Sequence, residues 1–365
     1  MSAGDDLQRV LVVRLDAIGD FILWLDSAKE LRKLYPPGRY HITLLANSAW
    51  AELASGMPYW DTVWPLHHLR LAGHLRYFAR QLWRIRRERF DEVVQPTYSR
   101  AFWPGDVIVA ASGARRRVGV ATDLANTTRL KRWIGNRFYT SLVDTGRPAT
   151  HELEHNAAFL RALGLENVSA RAPRITQKGA RPQRLDPATP YFVVAPGAGL
   201  AGKCWPLESF VDVCDRIAHE YGWRPVVVGG KAERDIAKVL TRSCATGALD
   251  LTGQTSLRDL IYTIRHARIV VSNDTAVAHF AAALRVPGVS IAGGGHHGRF
   301  LPYPRIEGDA LPMITVSQRM SCFGCNWNCI YPRSAGEPFR CVADVGVEQV
   351  WDAVRRLAAV EAAQR

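Results

Sequence analysis

The run RVLVVRL (9–15) has no polar break between Arg9 and Arg14. It leads through the loop DAIGD into FILWLDSAKELRKLYP (21–36), which is apolar at helical period and stopped by Pro36 and Pro37. A strand that reads as continuously apolar is buried on both faces, as in a parallel sheet covered by helices on either side. The alternation continues through HITLLAN, WAELASG and DEVVQP (91–96), as expected of an open α/β domain. After 171–190, a polar and aperiodic linker-like segment with four prolines, the pattern restarts at YFVVAPG. It runs on through LESFVDVCDRIAHEYG, RPVVVGG, ERDIAKVLTRSC, LRDLIYTIRHA, RIVVSND, TAVAHFAAALRV and PGVSIAGGG. The fold class is therefore α/β with two Rossmann-like domains, 1–175 and 190–345, the second including a cysteine-rich loop at 320–342, and a final helix at 346–365. Two such domains are expected to face each other across a cleft at the carboxyl ends of their strands, where parallel sheets bind ligands.

At 365 residues, 47% of them hydrophobic, the chain can build two such cores. The N-terminus MSAGDDLQRV has neither the basic start nor the apolar stretch of a signal peptide, and no apolar run is long enough to span a bilayer. The expected location is cytoplasmic, or peripheral at the inner membrane face. The formal net charge is +13, with the excess in the first half, in RQLWRIRRERF (80–90), ARRRV (114–118) and RLKRW (129–133). Such runs could meet nucleic acid, anionic lipid or a phosphorylated substrate, but a plain solvated helix face is the favoured reading for any one of them. Trp83 and Phe90, among the arginines, fall at helical spacing, which favours core packing over base stacking.

PGAGLAGKCWP (196–206) matches two phosphate-binding patterns at once, GxGxxG and, one residue off, GxxxxGK[ST]. The dinucleotide pattern wants an acidic residue at the end of the next strand, yet RPVVVGG ends in Gly229 and Gly230. The other pattern wants a hydroxyl for Mg²⁺ and meets Cys204, while Pro206 removes an N–H where the helix should supply one. What survives is a strand, a flexible turn with Gly197 and Gly199, the ammonium of Lys203 and a helix start, enough to hold a phosphate without a metal ion.

RIVVSNDTAVAHFAAALRVP (268–287) repeats the arrangement. Asp274 or Thr275 caps the helix, the free N–H groups form an anion site, and His279 lies one turn along the same face. Glu233, in VVVGGKAERD (226–235), stands at the next crossover as a partner for ribose hydroxyls or an adenine amine. In the first domain Gly19 allows the turn of DAIGD, and Asp20 precedes the helix as its N-cap. The same carboxylate, at the mouth of the expected cleft, suits a general base for a hydroxyl nucleophile, with Asp16 as its rival.

VLVVRLDAIGDFILWLDSAKELRKLYP, PGAGLAGKCWPLESF, VVVGGKAERD and SNDTAVAHFAAALRVP, in this order and spacing, resemble the family 9 glycosyltransferases, which include the ADP-heptose:lipopolysaccharide heptosyltransferases. The tandem of GD before the first helix, K-x-W-P and S-N-D-[ST]-x-x-x-H carries the resemblance, which runs from about residue 9 to 305. It implies a GT-B fold and an inverting, metal-independent transfer. The implied donor, usually ADP-L-glycero-β-D-manno-heptose, is held mainly by the C-terminal domain, and the acceptor is a hydroxyl of lipopolysaccharide, another glycan or a protein. By position, Asp20 matches the family's catalytic base and Lys203 a lysine on the donor phosphates. Asp274, Thr275 and His279 match the motif that touches diphosphate and sugar, and Glu233 the acid that binds the nucleotide. Ala276 departs from the family, where glycine is frequent.

CFGCNWNC followed by RC gives C-x2-C-x3-C-x11-C from Cys322, Cys325, Cys329 and Cys341, whereas Cys204, Cys214 and Cys244 are scattered. In a reducing compartment the cluster is expected to hold a metal ion in place of a core; zinc and a single iron suit four thiolates, and an iron–sulfur cluster suits this spacing less. A subset of heptosyltransferases that modify autotransporter proteins is similar in carrying a four-cysteine iron site. With GGGHHGRFLPYP (293–304), that resemblance brings in a protein acceptor; His296 and His297 there either touch the donor or end a strand. Two other functions fit parts of the sequence. A transferase for UDP- or GDP-sugars shares every phosphate feature, and a nucleic-acid-binding protein shares the basic first half but no recognisable binding module.

Overall fold

The computed structural model describes residues 7–67, 74–148 and 150–363, and the chain divides into two compact units, 1–171 and 172–365. The first unit runs β1 (Gln8–Arg14), α1 (Ile18–Leu34), β2 (Tyr40–Asn47), α2 (Ala51–Ser55), β3 (Thr62–Leu66) and α3 (Leu75–Arg87). It continues with β4 (Glu92–Gln95), α4 (Val107–Ser112), β5 (Arg116–Val120), α5 (Arg129–Asn136), β6 (Ser141–Val143) and α6 (Glu152–Ala162). The described strands form one parallel sheet in the order β3-β2-β1-β4-β5-β6. Central β1 buries Val10, Leu11 and Val12 completely, each worth about 1.5–3 kcal/mol on leaving water. Crossovers after β1 and after β4 step in opposite directions along the sheet, which for right-handed units puts α1 and α4 on opposite faces. Leu11 and Val13 pack with Phe78 and Ile85 of α3 and Ile108 and Val109 of α4.

The basic helix α3 corrects one expectation. Phe78, Ile85 and, beyond the helix end, Phe90 are buried, but Trp83 is 61% exposed. Trp83 lies two residues from Ile85, about 200° around the helix axis, and so points away from the core. Arg80, Arg86 and Arg87 are exposed with it. No helix among the described residues is long and apolar enough to cross a membrane.

In the second unit the order is β7 (Tyr191–Ala195), α7 (Leu207–Tyr221), β8 (Arg224–Val227), α8 (Arg234–Ser243), β9 (Leu249–Asp250) and α9 (Leu257–Arg265). It ends with β10 (Val270–Asn273), α10 (Ala276–Leu284), β11 (Gly288–Ile291), β12 (Met313–Val316), α11 (Arg340–Ala343) and α12 (Val347–Ala363). The parallel order is β12-β11-β10-β7-β8-β9, so the chain direction across the sheet reverses between β7 and β10. Ligands of open α/β sheets bind outside the carboxyl ends of strands flanking such a reversal.

The segment read as linker is strapped to this unit: Ile175 N–H donates to Ala283 O, Ala180 N–H to Arg258 O, and Arg265 to the carbonyls of Ile175 and Gln177. Helix α12 also belongs to its core, where Val350, Trp351 and Val354 pack with Trp205, Phe210 and Ile217.

Candidate functional site

The glycine-rich loop leaves β7 at the reversal point. Its anchor is Trp205, 2% exposed, whose indole Nε1 donates to Val345 O at 2.8 Å and whose backbone N–H donates to Asn273 Oδ1 at 3.0 Å. Asn273 is itself fully buried at the end of β10, and its Nδ2 donates to Pro196 O at 2.6 Å. One amide thus ties both ends of the loop to the neighbouring strand. Pro206 is the N-cap of α7, its carbonyl accepting the Ser209 and Phe210 N–H groups, so the missing proline N–H costs nothing there. Between these fixed points a 3₁₀ turn at Ala201–Lys203 presents Lys203, whose Nζ lies 3.5 Å from Asp274 Oδ2 and 4.4 Å from the centroid of the Trp327 ring.

Of the two candidates, Thr275 is the cap of α10, its hydroxyl accepting the Val277 N–H at 3.3 Å. Asp274 is left to face Lys203. His279, one turn on, is 4% exposed and meets Tyr303 Oη through Nδ1 at 2.8 Å. Burial pushes its pKa down to about 4, with the Lys203 ammonium lowering it further against the pull of Asp274. Burial raises the Tyr303 phenol, so at neutral pH this is a hydrogen bond between two uncharged groups.

Glu233 ends a 3₁₀ turn at Lys231–Glu233 and accepts the Gly230 N–H through Oε2 at 2.5 Å. It lies across Gly197: a Cβ there would stand 2.0 Å from Glu233 Oε1. Gly197 is therefore a glycine because the acid occupies the space of a side chain. No such reason applies to Gly199, where an added Cβ meets nothing within 4 Å. Lys203, Asp274, Thr275, His279, Gly197 and Glu233 are thus all carried on loops and helix starts at the carboxyl ends of β7, β8 and β10, a place for an anion flanked by a nucleoside-sized polar rim.

The cysteine-rich loop packs beside them. Cys341 is buried, and its Sγ accepts the Gly294 N–H at 3.3 Å. Burial raises the Cys341 pKa, and Cys322, Cys325 and Cys329 are near enough to raise it further. Among the described residues no three His, Cys, Asp or Glu side chains are set so that they could hold a metal ion. His296 and His297 face this loop. His296 Nε2 meets Asn326 Oδ1 at 2.5 Å, and the His297 ring lies 4.9 Å from that of Phe323.

In the first unit the expected cap is overturned. Helix α1 begins at Ile18 with Ala17 as N-cap and no side-chain cap bond, so Gly19 and Asp20 are the second and third helical residues, neither turn nor cap. The helix can start early because the loop before it is held from elsewhere: Asn47 Nδ2 and Trp50 Nε1 both donate to Asp16 O. Arg14, fully buried, pairs through Nε with Asp16 Oδ2 at 2.9 Å and reaches Asp20 O through Nη2 at 3.4 Å. Burial raises the Asp16 pKa against the attraction of Arg14. Asp16 is thus committed to Arg14, and Asp20 is half-buried in the first turn of α1.

Arg14, Asn273, Tyr303 and Trp327 are the residues that reading the sequence missed. Asn273 was within reach, since SND places a polar amide on a strand that is otherwise apolar.

Known proteins bear on this arrangement. Residues 86–310 match the family model for glycosyltransferase family 9 (heptosyltransferase). The chain is 25% identical over 318 residues to lipopolysaccharide heptosyltransferase 3 of Escherichia coli, covering 82% of this chain and 89% of that protein. Among solved structures, E. coli ADP-heptose lps heptosyltransferase II superposes with a TM-score of 0.69 at 16% identity, over 97% of this chain and 100% of that one. The bacterial iron-containing dodecameric glycosyltransferase TibC from enterotoxigenic E. coli gives 0.57 at 17% identity, over 97% of this chain and 77% of that one. The two Rossmann-like units are those of the GT-B fold these proteins share. The chain belongs to glycosyltransferase family 9, the heptosyltransferase family, and is a glycosyltransferase.

Proposed function

We propose that this chain transfers heptose from ADP-heptose to an acceptor hydroxyl, with inversion at the anomeric carbon and no metal ion in the transfer step. The observation that carries the proposal is the convergence of Lys203, Asp274 and the Thr275-capped start of α10 at the reversal point of the second sheet. An ammonium and a helix N-terminus stabilise the charge that develops on a diphosphate as its bond to the anomeric carbon breaks.

The uncharged His279, with Nδ1 engaged by Tyr303, keeps Nε2 for the donor, and Glu233 takes the ribose. Asp20 accepts the proton of the acceptor hydroxyl as its oxygen attacks the anomeric carbon from the face opposite ADP, and ADP departs. The relatives' names support heptose as the sugar, ADP as the nucleotide and lipopolysaccharide as the acceptor. Nothing beyond net charge favours a nucleic-acid-binding role. ADP is expected to be released from ADP-heptose in excess EDTA, but only when a heptose-free lipopolysaccharide is supplied. Turnover of a UDP- or GDP-sugar in its place would contradict the donor assignment.

For the cysteine-rich loop we propose one zinc or iron ion on Cys322, Cys325, Cys329 and Cys341, fastening an irregular segment that has little core of its own. Four thiols spaced C-x2-C-x3-C-x11-C are the right donors, and the iron-containing relative favours iron. As placed they do not form a closed site, so binding draws them inward; the ion takes no part in transfer. Elemental analysis is expected to give about one metal per chain, lost in Cys341→Ser. A purified parent chain with four freely titrating thiols and no metal would overturn this.

A further inference from the structure

The cysteine-rich loop meets the phosphate-binding loop at two side chains: the Phe339 ring lies against Gly202, where a Cβ would come within 2.6 Å of it, and Trp327 faces Lys203. We propose that Trp327 is the positioning residue for Lys203, so that the cysteine-rich loop sets how firmly the second unit grips the donor diphosphate. This rests on the assignment of Lys203 to the donor phosphates made above.

Among the described residues Lys203 has two partners, the Asp274 carboxylate at 3.5 Å and the indole face of Trp327 at 4.4 Å. They do different things to an ammonium. A carboxylate holds it by neutralising it, and an incoming diphosphate then meets half of an ion pair. An aromatic face holds it through the ring quadrupole and carries no net charge, so the positive charge stays available to the phosphate. The ring is also a floor that removes rotamers from a long, flexible side chain before the donor arrives, which is preorganisation.

The surroundings of Trp327 are built to fix that ring. Asn326 and Trp327 both adopt the left-handed backbone region, at φ +48° and +63°, a conformation that costs energy in residues other than glycine and persists where neighbouring contacts hold it. Those contacts come from the triple glycine after β11. Asn326 N–H donates to Gly295 O at 3.0 Å and Gly324 N–H to Gly294 O at 2.8 Å. Trp327 Nε1 donates to His296 Nδ1 at 3.2 Å, which leaves the His296 proton on Nε2, where it is donated to Asn326 Oδ1. The ring lies flat on glycine: a Cβ on Gly295 would come within 2.3 Å of it and one on Gly293 within 3.0 Å. The glycine run thus makes room for Trp327, and His296 serves the tryptophan.

The test is a double-mutant cycle on donor kinetics. Trp327→Leu is expected to raise the donor KM about tenfold while leaving the acceptor KM unchanged, and Trp327→Phe to restore most of the loss. Gly295→Ala, which keeps both Trp327 and Lys203 but displaces the ring, is expected to reproduce the Trp327→Leu defect. In a Lys203→Ala background, Trp327→Leu is expected to add nothing. Equal losses with and without Lys203 would overturn the proposal and make Trp327 a packing residue. If Lys203→Ala alone leaves donor KM and kcat unchanged, the assignment of Lys203 to the donor falls, and this proposal with it. Melting temperatures of every variant, with Trp327→Phe as the milder one, keep the cycle readable should Trp327→Leu fold poorly.

Discussion

Asp20→Ala is expected to lower kcat by about 10²–10⁴-fold, the usual contribution of a positioned general base, while ADP still raises the melting temperature of the variant. Asp20 is half-buried at the third position of α1, where alanine is a good helix former, so the fold is expected to survive. The ADP effect is expected to persist because Lys203, Glu233, Asp274, Thr275 and His279, which we assign to the donor, belong to the other unit. The rival base behaves differently. Asp16 is paired with Arg14, whose side chain is wholly buried, and removing one partner of such a pair leaves a buried charge uncompensated, at a cost of about 3–5 kcal/mol. Glu152, 3.7 Å from Arg14, moderates that loss. Asp16→Asn should therefore show a lowered melting temperature together with any loss of activity. A fully active Asp20→Ala beside a stable but inactive Asp16→Asn would transfer the role of base to Asp16.

Lys203→Ala is expected to reduce kcat/KM for the donor by about 10²–10³-fold, as for the loss of one preorganised charge partner of a transition state. It should also shrink the stabilisation by ADP, which Asp20→Ala leaves intact. Lys203→Arg is expected to restore only part of the activity, because a planar guanidinium cannot occupy the same point between Asp274 and the Trp327 ring as a compact ammonium. Parent-like donor kinetics in Lys203→Ala would remove the lysine from the site.

Both units were legible in the sequence because their central strands are buried on both faces, and buried parallel strands leave apolar runs that need no partner to be recognised. The edge strands β9 and β12 were not, β9 being two residues long and β12 four, with only Val316 of β12 buried. Lys203, Thr275 and His279 could be placed because each lies at a fixed offset from a strand end. Trp327 and Tyr303 could not, since they come from an aperiodic stretch of chain and reach Lys203 and His279 only through tertiary packing.

The misplaced cap of α1 has a similar cause. An aspartate before an apolar helix is a good local signal, but Asn47 and Trp50, more than 30 residues away, hold the loop so that the helix starts one turn sooner. Trp83 failed for a different reason, because spacing alone does not say which side of an arginine-rich helix meets the sheet until Phe78 and Ile85 are seen to be the buried pair.

We propose transfer by a single displacement at the anomeric carbon, with Asp20 taking the acceptor proton and Lys203 holding the departing diphosphate. The most direct test is the configuration of the product formed from ADP-L-glycero-β-D-manno-heptose and a heptose-free lipopolysaccharide in excess EDTA, read by NMR of the new linkage. The expected result is an α-linked heptose with one ADP released per transfer; a β-linked product would contradict single displacement.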